Sequence, residues 1–377
     1  MWALGDNSGV KTEHPSLTTT LNLRIRQALE HAGGWMPFDA FMAMALYEPG
    51  LGYYSNALQK FGSLPASGSD FVTAPLISPL FGQTLAVQVG QALQASGTTE
   101  VFEFGAGTGA LALQLLDTLG DRVQRYTIID LSGTLRERQA GMLSAHAHKV
   151  RWLGAWPEVM EGVVVGNEVL DAMPVKLLVR TDGAWHERGV VVDADQGFAW
   201  ADRPTQLRPP VEIEGEQDYL TEIHPQAEAF MASLAERMRT GRGGAAFFLD
   251  YGFPEAEYYH PQRHMGTVMC HHLHEADDNP LEKVGLKDIT AHVNFTGIAV
   301  AAQNAGLDVL GYTSQARFLL NLGLAQRMEQ ASLVERTQAT RLLNEHEMGE
   351  LFKVIGLAVG GDWLAQGFEA GDRTHRL

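Results

Sequence analysis

Apolar positions along this chain change rhythm in an ordered way. Short apolar-rich runs at 100–104, 125–130, 149–153 and 162–167 alternate with stretches of helical spacing, such as Leu111, Leu113, Leu115 and Leu116. That alternation predicts strands and helices in a parallel sheet with right-handed crossovers. Upstream, Leu17, Leu21, Leu23, Ile25, Ala28 and Leu29 mark an amphipathic helix over 17–32 that stops near Gly33 and Gly34, and 37–47 reads as a second helix. Helices and loops continue to about residue 98. The rhythm breaks over 175–213, where 176–180, 185–192 and 198–200 predict antiparallel strands turned at Asp182-Gly183 and Gln196-Gly197, a β insertion. A helix is expected around 219–239, strands at 245–250, 307–312 and 352–359, and a helix over 298–305, with 253–294 rich in loops. The units are then an N-terminal helical and lid region (1–98), a cofactor-binding core (99–174), the insertion (175–215) and the rest of the core (216–377), with a loop-rich insertion at 253–295.

Chemistry concentrates at 101–109. The first run delivers Glu103 and then Gly105, Gly107 and Gly109 at alternate positions, immediately before a helical pattern. Glycines there let a nucleotide approach the backbone and allow positive φ, while the helix N-terminus offers free amide donors. Gly105, Gly107 and Ala110 also satisfy the looser dinucleotide pattern, which keeps an NAD(P)-dependent oxidoreductase open. Gly109 and Glu103 favour S-adenosylmethionine, whose ammonium group a carboxylate at 103 would hold. Asp130 ends the second strand, 25 residues after Gly105, where a carboxylate accepts both ribose hydroxyls.

Composition narrows the partners. The 377 residues are 45% hydrophobic and 19% charged, an ordinary globular balance, and the formal charge of −17 opposes a phosphate backbone, so no nucleic-acid partner is expected. No run reaches the ~20 apolar residues of a membrane span. The first twenty residues lack a signal-peptide core and an arginine-rich transit pattern and read as a frayed, partly disordered tail. A single cysteine, Cys270, rules out an internal disulfide, and the expected location is a reducing cytoplasm.

The blocks 38–54, 69–82, the glycine turn, 166–174 (Gly166-Asn167-Glu168-Val169-Leu170-Asp171-Ala172-Met173-Pro174), 250–252 and 288–295 occur in the order found in the MidA-like methyltransferases, which this chain resembles over about residues 37–323. That family includes a mitochondrial complex I assembly factor that methylates protein arginine. The resemblance implies a class I, Rossmann-like methyltransferase fold: a seven-stranded, mainly parallel sheet with an antiparallel last strand. It implies S-adenosylmethionine as cofactor, with Glu103, Gly105, Gly107 and Gly109 on the methionine side, Asp130 on the ribose, and Leu131 and Leu153 flanking the adenine. The acceptor would be a protein, with a respiratory-complex subunit as the family's example. A non-catalytic cofactor-binding assembly factor is the alternative, because Leu76 and Thr108 stand where the family usually has Glu and Arg; His271 and Asn294 also depart from it, standing for Tyr and Asp.

Asn167-Glu168-x-x-Asp171 follows the apolar run Val163-Val164-Val165, so its polar groups emerge at a strand end beside the transferable methyl. Glu168 and Asp171 are the candidate catalytic pair, able to bind a guanidinium through fork-like bonds, and Asn167 a cofactor contact. The competing reading makes Asn167 and Asp171 caps of a following segment. Phe71 and Thr73, within 69–82, are candidate contacts from a lid over the cofactor; proline-rich packing explains that segment equally well. His271, His272 and His274 lack the spacing of a metal motif, so no metal is expected, and His292 is either a proton acceptor or a loop anchor.

Overall fold

The computed structural model describes residues 14–56, 73–130, 133–273 and 275–377. Seven strands form the main path of the central sheet, β1 (Glu100–Phe104), β2 (Arg125–Ile129), β3 (Val150–Leu153), β4 (Gly162–Asn167), β5 (Gly244–Phe253), β6 (Asp308–Ser314) and β7 (Phe352–Ala358), and a two-residue strand, Val293–Asn294, pairs parallel with the end of β5. Their spatial order is β3-β2-β1-β4-β5-β7-β6. Strands β1 to β5 are parallel, and β7 runs antiparallel to both β5 and β6. This is the class I methyltransferase arrangement. Alternate residues divide between its faces: Val163 and Val165 join one core with the helices Leu80–Ser96 and Ala110–Leu119, whereas Val164 joins a second with Pro225–Thr240 and Phe295–Asn304.

Gly105, Gly107 and Gly109 all have positive φ (62°, 52° and 88°), which glycine adopts without a Cβ clash. The chain thereby reverses from β1 into Ala110–Leu119, whose buried Leu111, Ala112, Leu115, Leu116 and Leu119 lie on the sheet.

The insertion is an antiparallel sheet of Met36–Pro37, Lys176–Thr181, Ala184–Val192, Phe198–Pro204 and Tyr219–Ile223. At its first turn Asp182 and Gly183 have φ of 50° and 75°, the paired left-handed geometry of a tight hairpin. Its last strand, Tyr219–Ile223, replaces the start of the helix expected around 219; Pro225 opens the helix instead. The loop-rich 253–294 region contains a small sheet of Met269–His272, Glu275–Asp277 and Asp288–Thr290. The helix expected over 17–32 runs His14–His31, so residues 14–16, expected in a frayed tail, belong to it; residues 1–13 lie outside the described residues. A third core gathers Leu21, Ile25, Phe41, Leu46, Leu177 and Ile289 from the N-terminal helices, the insertion and the small sheet.

Candidate functional site

A cavity of about 1110 Å³ opens at the carboxyl ends of β1, β2, β4 and β5, the position where open α/β sheets bind ligands. Its opposite wall comes from residues 47–55, 73–76, 271 and 288–290. Glu103, Asp130, Glu168, Asp171 and Asp288 all line it, and no lysine or arginine does among the described residues.

Glu103 is buried at the end of β1 and accepts a hydrogen bond from Tyr126 Oη at 2.8 Å. Burial raises its pKa to about 8 against the opposing effect of Tyr126, with nearby Asp130 adding to the rise. Gly105 and Gly107 form the adjacent wall. Gly109 does not line the cavity; a Cβ there would stand 3.5 Å from the Gln139 Cα, so its role is to pack the turn against the helix Gly133–Met142.

Asp130 lines the cavity just beyond β2. Gln139 Nε2 donates to Asp130 Oδ2 and to the Gly107 carbonyl, both at 3.0 Å, and Gln139 Oε1 accepts from Trp152 Nε1 at 2.9 Å. This buried amide ties the glycine turn to Asp130, and sequence reading missed it. Leu153 is not on the cavity wall; it packs into the second core. Ala155 and Trp156 line the cavity instead, with the Trp156 ring 4.7 Å from Phe104 and 4.9 Å from Phe230. Leu131 and Phe71 lie outside the described residues. Thr73 lines the cavity, as do Leu76 and Thr108, so those two departures from the family pattern fall on its wall.

No helix follows Asn167-Glu168-x-x-Asp171, which overturns the capping alternative. The amides of Val169, Leu170 and Asp171 converge instead on Asp250 Oδ2 at 3.0, 2.8 and 3.3 Å. Asp250, buried on β5, thus shapes the turn and leaves Asp171 available to the cavity. Glu168 has φ of 56°, a left-handed conformation costing a non-glycine residue about 1–2 kcal/mol. Asn167 Nδ2 donates to Glu168 Oε1 at 2.8 Å. Burial, then Asp171, push the Glu168 pKa up to about 8, with Asn167 opposing. Tyr251 Oη donates to Asp171 Oδ2, and burial raises that carboxyl too. Asn167 Oδ1 and Asp171 Oδ1 are buried without a hydrogen-bond partner, an arrangement that leaves acceptors for a ligand's donors.

The facing wall is aromatic. Tyr47 and Tyr54 are stacked with centroids 5.6 Å apart, Tyr47 Oη donates to the Ala172 carbonyl and Tyr54 Oη to Asp288 Oδ1, both at 2.8 Å. Tyr251 and Phe352 are 5.4 Å apart in an edge contact. His271 is on the wall and pairs across the small sheet with Asp288. His292 lies behind it, its ring 5.3 Å from Tyr251 and 5.2 Å from Phe253. Burial lowers the His292 pKa to about 4, so it is neutral at pH 7.

Fold and site together define a class I enzyme with a nucleoside cofactor. The chain belongs to the family described as "Putative S-adenosyl-L-methionine-dependent methyltransferase", whose model matches residues 84–313. It is similar to a Burkholderia thailandensis protein crystallised with S-adenosyl-homocysteine, at 48% identity and a TM-score of 0.92, covering 97% of this chain and 98% of that one. It is also similar to the zebrafish protein arginine methyltransferase NDUFAF7, mitochondrial (Danio rerio; 26% identical, 86% of this chain and 84% of the relative), and to its human counterpart (Homo sapiens; 26%, 84% and 78%). The protein is accordingly an S-adenosylmethionine-dependent methyltransferase, and the oxidoreductase alternative is set aside. The wall fits a cationic nucleoside cofactor: it offers two carboxylates, Glu103 and the Gln139-held Asp130, with open glycine backbone between them. The cytoplasmic expectation is corrected, because these animal relatives are named as mitochondrial; a lone cysteine distinguishes oxidising from reducing surroundings, not one reducing compartment from another.

Proposed function

We propose that this methyltransferase modifies a protein side-chain nitrogen, with the arginine guanidinium as acceptor. One observation carries the reading: five cavity carboxylates have no lysine or arginine opposite them among the described residues, and at the raised pKa of Glu103 and Glu168 protons stand in for a counter-charge that cationic ligands would supply. The relatives named as protein arginine methyltransferases support it.

Bound cofactor supplies an electrophilic methyl on a positively charged sulfur. Glu103 receives the ammonium end, with Gly105 and Gly107 beside it. Asp130, oriented by Gln139, takes the ribose hydroxyls, and Asn167 contacts the cofactor near the methyl, with Thr73 on the facing wall. Glu168 and Asp171 bind the guanidinium by charge-assisted hydrogen bonds, holding one nitrogen at near-attack distance, which is where most of the acceleration in such a displacement originates. Guanidinium is a poor nucleophile while its charge is delocalised. A raised carboxylate pKa suits Glu168 to take the proton that leaves the attacking nitrogen. By family resemblance, the acceptor protein proposed is a respiratory-complex subunit.

The test is transfer of labelled methyl from S-adenosylmethionine into lysate of cells lacking the protein, followed by mass spectrometry. Methylarginine in a respiratory-complex subunit is expected. Label on lysine or nucleic acid would overturn the arginine reading and leave the methyltransferase assignment intact.

A further inference from the structure

Asp288 occupies a position that the Glu168–Asp171 turn does not explain. It comes from the strand Asp288–Thr290 of the small sheet, on the opposite side of the cavity, and is 2% exposed. The ammonium of its neighbour Lys287 is turned to Asp277 Oδ1 at 2.6 Å and the Asn279 carbonyl at 2.9 Å. Tyr54 Oη donates to Asp288, and Tyr54 is braced by stacking on Tyr47, whose own hydroxyl is tied to the Ala172 carbonyl. Glu168, Asp171 and Asp288 all line the same cavity, so the three carboxylates share one chamber.

We infer that Asp288, held by Tyr54, is a third acceptor-binding carboxylate that grips the guanidinium from the side opposite Glu168 and Asp171 and sets the preference for arginine. The inference rests on the arginine reading above. A guanidinium presents five N–H donors in a rigid planar fork and can serve carboxylates on two sides at once, whereas lysine presents a compact point charge. Two acidic walls with tyrosines between them match the fork.

The experiment titrates the protein saturated with S-adenosyl-homocysteine with N-acetyl-arginine methylamide and with its uncharged isostere, N-acetyl-citrulline methylamide, by calorimetry or ligand-observed NMR. Wild type is expected to prefer the arginine probe, and Asp288→Asn to lose about tenfold or more of that preference, with S-adenosyl-homocysteine affinity and melting temperature unchanged. If Asp288→Asn keeps the preference, this inference falls while the arginine reading stands. If wild type binds both probes alike, both fall. Loss of S-adenosyl-homocysteine binding in Asp288→Asn would make the residue structural and overturn the inference. Should that variant not fold, Tyr54→Phe substitutes for it, since it keeps the carboxylate and removes its donor; a roughly threefold loss of arginine preference is expected, and an unchanged preference refutes the role.

Discussion

The two halves of the cavity are built by different means. The half proposed for the cofactor comes from one stretch of chain: Glu103, Gly105 and Gly107 leave β1 together, and Asp130 leaves the next strand along. The half proposed for the acceptor is assembled from remote segments, with Tyr47 ending the helix Phe38–Tyr47 and Tyr54 following it, Glu168 and Asp171 beyond β4, Tyr251 on β5, and His271 and Asp288 in the small sheet. On the proposed reading, a local motif fixes where the common methyl donor binds, whereas a mosaic of segments fixes what is brought to it. Substitutions in the first half should abolish binding, and those in the second should spare cofactor binding and stop turnover.

Gly107→Val should break the first half outright. A β-branched side chain at φ of 52° is strained and projects from the cavity wall. Calorimetry with S-adenosylmethionine is expected to show affinity reduced beyond ~100-fold, with the melting temperature lowered by roughly a few degrees through the backbone strain; undiminished binding would move the cofactor away from the glycine turn.

Glu168→Gln tests the other half. Cofactor affinity should remain while methyl transfer falls about 100-fold, the scale for losing one preorganised electrostatic contact. A variant that transfers methyl at the wild-type rate would remove Glu168 from the chemistry.

A smaller, graded effect separates the halves by pH. Glu103 shifts from the ordinary 4.5 to about 8 in the ligand-free fold. Between those values the folded protein holds a proton that the unfolded chain has released, so this group's contribution to stability is lost as pH rises through that window. Ammonium binding needs the carboxylate, so cofactor affinity should climb with pH by at most about tenfold per unit below about 8 and then level off. Glu103→Gln should flatten that slope, and a slope that persists in the variant would assign it to another group.

Legibility in the sequence follows the same division. The runs at 100–104, 125–130, 149–153 and 162–167 coincide with β1 to β4 to within about a residue, because strands buried on both faces are continuous apolar runs bounded by turn residues. Glycine spacing likewise marked the cofactor turn. Tyr219–Ile223 was read as helix because the helical pattern that follows it was extended past the boundary that Pro225 marks. Gln139, Asp250, Trp156, Tyr54 and Asp288 were not singled out. Each matters through a partner 9 to 234 positions away, as in Gln139 with Asp130 or Tyr54 with Asp288, and no local pattern encodes such a pairing. Gly109 differs from the other two motif glycines: a Cβ there would meet Gln139 of the helix Gly133–Met142.

The third core, separate from the two that sandwich the central sheet, holds the walls that carry Tyr47, Tyr54 and Asp288 through residues such as Phe41, Leu46 and Ile289. In evolutionary terms the enzyme is modular within one cavity. Replacements among those packing residues would re-aim the tyrosines and the small-sheet carboxylate without disturbing β1 or its glycine turn. Descendants of one ancestral sequence could therefore exchange acceptor proteins while all continued to use the same methyl donor.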